Sequence, residues 1–99
     1  PFSRLGNVVL WGKSETACRA ASAALADAVR ARVEGQGGWE VLGPTDCVKA
    51  RAKDYFRRHV MVKSPVDADL GGVLGAAAAS LGPLKGINMS VDIDAYDMM

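Results

Sequence analysis

The stretch Val41–Pro65, VLGPTDCVKARAKDYFRRHVMVKSP, decides how the chain is read. Gly43-Pro44 is a turn signal, since glycine tolerates unusual backbone angles and proline fixes φ. From Tyr55 to Lys63 the side chains suit a strand, in which successive residues face opposite ways. Phe56, Arg58, Val60 and Val62 make one face, fit for a core with Arg58 near its edge. Tyr55, Arg57, His59, Met61 and Lys63 make the other. Ser64-Pro65-Val66-Asp67 then reads as a helix start, with Ser as N-cap, Pro at the first helical position and Asp three residues after the cap.

Working outward, helical patterns lie on both sides. Ser14–Glu34 is alanine-rich, with Ser14 as N-cap and Glu15 in the first turn. Its apolar stripe is expected at Ala17, Ala21, Ala24, Leu25, Ala28 and Val29. Small residues there predict close approach to a sheet. Gly35-Gln36-Gly37-Gly38 ends it. The second helix is expected from the Ser-Pro start to about Leu81, with Leu70, Val73, Leu74, Ala77 and Leu81 inward, Gly82 at C′ and Pro83 as a stop.

Three further strands complete the pattern. Phe2–Trp11 carries the apolar run Val8-Val9-Leu10 and is expected at the centre of the sheet. Trp39–Leu42 is a short strand ending at Gly43-Pro44, and Thr45–Ala52 is expected to be irregular, with a helical turn. Ile87–Asp94 alternates cleanly, Ile87, Met89, Val91 and Ile93 inward and Asn88, Ser90, Asp92 and Asp94 outward. The order β-α-β-β-α-β predicts an α+β, ferredoxin-like split βαβ fold, a four-stranded antiparallel sheet with two helices on one face.

Composition bounds the function. Ninety-nine residues, 49% apolar and 23% charged, make one small domain. The net charge of +1 averages two unlike regions. Lys49, Arg51, Lys53, Arg57, Arg58 and Lys63 are six of the twelve basic residues; with Asp54 among them, that segment carries +5. Residues 64–99 hold Asp67, Asp69, Asp92, Asp94 and Asp97 against Lys85 alone, a balance of −4. The chain opens on Pro1-Phe2, with no signal peptide and no apolar run near twenty residues, so we expect an excised domain of a longer protein, ending naturally at Met99. Cys18, Cys47 and His59 cannot supply a four-ligand zinc site, and the two cysteines read as reduced thiols of a cytosolic protein.

The basic segment has two readings. Lys49, Arg51, Lys53, Arg57, Arg58 and Lys63 could neutralise phosphates and release counterions, with Tyr55 and His59 stacking on bases. The alternative is a solvated basic strand that pairs with carboxylates of this or a neighbouring domain. Six cations beside an acidic region tip the balance toward nucleic acid. An RNA-recognition motif is rejected, because Lys53-Asp54-Tyr55-Phe56-Arg57-Arg58-His59-Val60 lacks both small residues and two aromatics of its third strand. Asp92 and Asp94 could bind metal, but they read better as a solvated face or as partners for Arg57 and Lys63. Gly12-Lys13-Ser14 stands where an acylphosphatase would need an arginine loop. With no nucleophile–base pair and no P-loop, no enzyme is expected here.

Four motifs, in order and at matching spacing, resemble the C-terminal domain of primosomal protein N′, the PriA replication-restart helicase of bacteria. Pro1-Phe2-Ser3-Arg4-Leu5 is similar to the family's Pro-Pro-Phe-x-Arg-Leu, and Val41-Leu42-Gly43-Pro44 to its Val-x-Gly-Pro. Arg51, Lys53, Asp54, Phe56, Arg57, Val60-Met61-Val62 and Lys63-Ser64-Pro65 follow its Arg-x-Arg-Gly-x-Tyr-Arg, apolar strand and Lys-Ala-Pro. Val91-Asp92-Ile93-Asp94 resembles its closing Val/Ile-Asp-Val-Asp. Asp54 replaces the family's glycine, the linker after Gly-Pro has Asp46 and Val48 instead of extra prolines, and Asp67 stands where relatives are often basic.

The resemblance implies a bacterial, cytoplasmic parent: an ATP- and magnesium-dependent 3′→5′ DNA helicase with a zinc-binding segment. None of that machinery is expected in these residues, so no cofactor is expected here. What the resemblance gives this domain is contact with branched or single-stranded DNA, with the helicase core of the same chain and with single-stranded DNA-binding protein, and no membrane.

Overall fold

The computed structural model describes residues 3–52 and 54–94, with side chains described except at 48–52 and 94. The elements run in the order β1 (Ser3–Gly12), α1 (Glu15–Val33), β2 (Glu40–Ala52), β3 (Tyr55–Pro65), α2 (Leu70–Ser80) and β4 (Ile87–Asp94). The sheet order is β2-β3-β1-β4, every neighbouring pair antiparallel. β3 lies between β1 and β2, which is the split βαβ expected from the element order.

One sheet face carries the core. Val8 and Leu10 of β1 and Val60 and Val62 of β3 are buried against Leu25 and Val29 of α1 and Leu70 and Leu74 of α2. Each such aliphatic side chain contributes about 2 kcal/mol of burial. Gly6 admits α2, because a Cβ there would lie 2.7 Å from Leu74 Cδ1 and 3.4 Å from Leu70 Cδ2. Ser14 caps α1 as expected, its Oγ accepting from the Ala17 N–H at 3.1 Å.

Four expectations are corrected. The buried stripe of α1 is Cys18, Ala21, Ser22, Leu25, Ala26, Val29 and Val33, so the contact face is rotated and Ala24 is exposed. Runs of alanine blur a helix's apolar face, because almost any rotation offers small side chains. β2 continues through Thr45–Ala52 instead of stopping at Gly43-Pro44. Its register slips between Leu42 and Thr45, where Gly43 at φ 98° takes up the irregularity, and again between Asp46 and Arg51.

Ser64 and Pro65 end β3, paired with Arg4 and Ser3, instead of starting α2. The residue before a proline favours extended backbone, which a strand and an N-cap share. Asp69 is the true cap, its Oδ1 accepting from the Gly72 N–H at 3.0 Å. α2 is therefore only eleven residues long. Val91 and Ile93 share the helix-side face, being paired with Val8 and Gly6, yet stand 44% and 37% exposed on the edge strand. Gly82 at φ 70° ends α2 as expected, its N–H donating to the Ala79 carbonyl.

Candidate nucleic-acid interface

The sheet face away from the helices is built from odd-numbered residues of β1 and β3. Pairing puts Leu5 beside Lys63, Asn7 beside Met61, Val9 beside His59 and Trp11 beside Arg57. On the other flank of β1, Asn7 meets Asp92, Val9 meets Ser90 and Trp11 meets Asn88. Cations therefore line β3, polar and acidic groups line β4, and Leu5, Val9 and Trp11 run between them. The His59 Nδ1 lies 3.3 Å from Asn7 Oδ1, which steadies the ring on this face. At the end of the row the Lys13 ammonium lies 5.9 Å from the centroid of the Tyr55 ring, within cation–π range.

Tyr55, Arg57, His59 and Lys63 thus share one face, as their alternation predicts; Arg57 is exposed and the others are half-buried. Arg58 points the opposite way. Its Nε donates to Ser22 Oγ at 3.2 Å, one terminal nitrogen to Asp46 Oδ1 at 2.9 Å and the other to the Pro44 carbonyl at 3.3 Å. Its side chain is 12% exposed, against 50% for Asp46. Arg58 fastens β2 to β3 and α1. Lys53 lies outside the described residues; Lys49 and Arg51 belong to β2, but their side chains lie outside those described.

Asp92 shares its row with Asn7 and Met61, whereas Arg57 and Lys63 sit in other rows. No ion pair joins Asp92 to Arg57 among the described residues, and the side chain of Asp94, the other expected partner, lies outside those described. Cys18 is fully buried on the helix side, its thiol 3.6 Å from the Phe56 carbonyl oxygen. Burial pushes its pKa up and the Arg58 charge pulls against that, so the thiol stays protonated at neutral pH. Cys18 and His59 occupy opposite faces, so they cannot share a metal.

Two features of this site were not among the expected site residues. Lys13 follows the last residue of β1 and reaches Tyr55; its parity with Trp11 along the strand was the available signal. Asp54, between β2 and β3, has φ 70°. That left-handed conformation is what glycine adopts most easily, which accounts for the glycine that the resemblance leads one to expect there.

These features define a class first: a small α+β domain of ferredoxin-like topology, with one face of its sheet turned away from the helices. The family model described as primosomal protein N C-terminal domain matches residues 1–96, and the chain belongs to that family. That membership supports a role in primosome function and replication restart. A search of curated proteins gives no significant match. Among solved structures, a hydantoinase/carbamoylase family amidase from Burkholderia ambifaria is similar over 97% of this chain and 28% of its own, with 15% identity and a TM-score of 0.63. At that identity the likeness concerns the fold alone. Among the described residues no helix is long and apolar enough to cross a membrane.

Proposed function

We propose that the chain is a non-catalytic, DNA-contacting and interaction domain of a bacterial 3′→5′ replication-restart helicase, acting in the cytoplasm. ATP, magnesium and zinc belong to the remainder of that helicase. The observation that carries this reading is the stripe of Arg57, His59 and Lys63 with Tyr55 on the face turned away from the helices. Cations there meet phosphates, and an aromatic ring there meets bases without sequence preference. The family membership supports a DNA-associated setting.

In a test, the chain binds forked or single-stranded DNA weakly at about 50 mM salt, and affinity falls steeply as salt rises. The paired change Arg57→Glu and Lys63→Glu abolishes binding while the chain stays folded. Binding that survives the pair overturns the assignment.

A second reading is favoured by Leu5, Val9, Trp11 and Met61 on the same face. It makes this face a docking surface for the helicase core, with no DNA contact. Its sign would be no DNA binding at low salt, with Arg57 and Trp11 protected from solvent in the full-length helicase. Single-stranded DNA-binding protein is a further partner proposed from the family resemblance.

A further inference from the structure

We infer that the end of β1 holds a pocket for one nucleotide of a single strand, built from Lys13, Tyr55 and Asn88 and continuous with the Arg57 and Lys63 stripe. This rests on the DNA-contact reading and narrows it to a nucleotide subsite. The cause of the pocket is topological. β1 stops at Gly12 and the chain turns away into α1, so β3 and β4 lose the strand that separates them. Tyr55 stands on one side of the gap and Gly86, Ile87 and Asn88 on the other, around about 350 Å³. That volume is at the lower end of small-ligand sites.

The lining suits a nucleotide in three ways. Lys13 brings an ammonium to the edge of the pocket, and none of the five lining residues is acidic. Tyr55 offers a ring, and its cation–π contact keeps the ammonium near the place a phosphate would occupy beside a base. Asn88 offers an amide that can both donate and accept, suited to a base edge. Its Nδ2 is only 3.5 Å from the Trp11 carbonyl oxygen, a long bond that a ligand could replace.

The pocket also has a direction. Asn88 is opposite Trp11, and Trp11 is opposite Arg57, so the next cation and the next aromatic ring stand one row further along the same face. From Tyr55 to Lys63 the strand rises about 26 Å. A single strand that places one nucleotide in the pocket can lay its following phosphates along Arg57 and Lys63.

The test uses the 99-residue chain with a twelve-residue oligothymidylate, and with thymidine 5′-monophosphate and inorganic phosphate as separate probes. Backbone amide NMR shifts on adding the monophosphate are expected at Lys13, Gly86 and Asn88. Tyr55→Ala is expected to weaken oligothymidylate binding roughly tenfold, about the loss of one base–aromatic stack, and Lys13→Ala, which loses a phosphate contact, is expected to weaken it and to lessen its salt dependence. Tyr55→Phe keeps the ring and should keep the affinity, and the variants' amide spectra report whether they remain folded. Shifts produced equally by inorganic phosphate, with no effect of Tyr55→Ala, would leave only an anion site and overturn the nucleotide subsite. Oligothymidylate binding that depends on Arg57 and Lys63 but not on Lys13 or Tyr55 overturns the pocket while sparing the wider DNA reading. No oligothymidylate binding by the unaltered chain overturns both.

Discussion

The two faces of β3 carry adjacent arginines to different ends. Arg58 turns toward the helices and spends its guanidinium on Ser22, Asp46 and Pro44. Arg57 turns away from them and is exposed beside Trp11. Neighbours in sequence and alike in charge, they differ because a pleated strand alternates its side chains. The lesson is that a run of cations cannot be counted as one surface until the strand's two faces are separated.

Substitutions on either face of the sheet separate the two roles. The most disruptive change on the helix side is Gly6→Val, where Leu74 and Leu70 already occupy the space a side chain would need. Overpacking there should cost about 3 kcal/mol, read as a lower urea midpoint at an unchanged slope. Next is Arg58→Ala. Losing charge-assisted bonds to one buried and two more accessible partners should cost about 2 kcal/mol, while DNA binding of the folded variant stays intact. If Arg58→Ala removed DNA binding without loss of stability, the two faces would have been assigned the wrong way round.

Asp54 gives a smaller effect at the junction of the two strands. Asp54→Gly and Asp54→Ala lose the same carboxylate, but only alanine keeps the cost of φ 70°. The glycine variant should be the more stable by about 1 kcal/mol, and equal stability would mean that the turn relaxes out of the left-handed region. The smallest effect is expected on the opposite face. Arg57→Ala should change stability by less than about 0.5 kcal/mol, and DNA affinity should become less dependent on salt by somewhat less than one charge.

Much of the fold was legible because periodicity is written directly in the residues. The alternation of Tyr55–Lys63 and of Ile87–Ser90, the cap at Ser14 and the glycine stop at Gly82 all stand where local chemistry put them. The site was half legible. Strand alternation put Tyr55, Arg57, His59 and Lys63 together, but Arg58 counted among the cations until its partners were visible. The start of α2 was misjudged because Ser64-Pro65 suits a cap and a strand end equally, and pairing with β1 chose the strand.

By itself, then, the sequence determined the element order, the sidedness of β3 and the family motifs, since these depend on neighbours along the chain. Only the tertiary structure decided that β2 runs on past Gly43, that Val91 and Ile93 remain exposed and that Tyr55 and Asn88 flank the space beside Lys13. Those outcomes depend on which strand lies alongside and how far a helix reaches across the sheet, and contacts between residues distant in the chain leave no periodic trace in it.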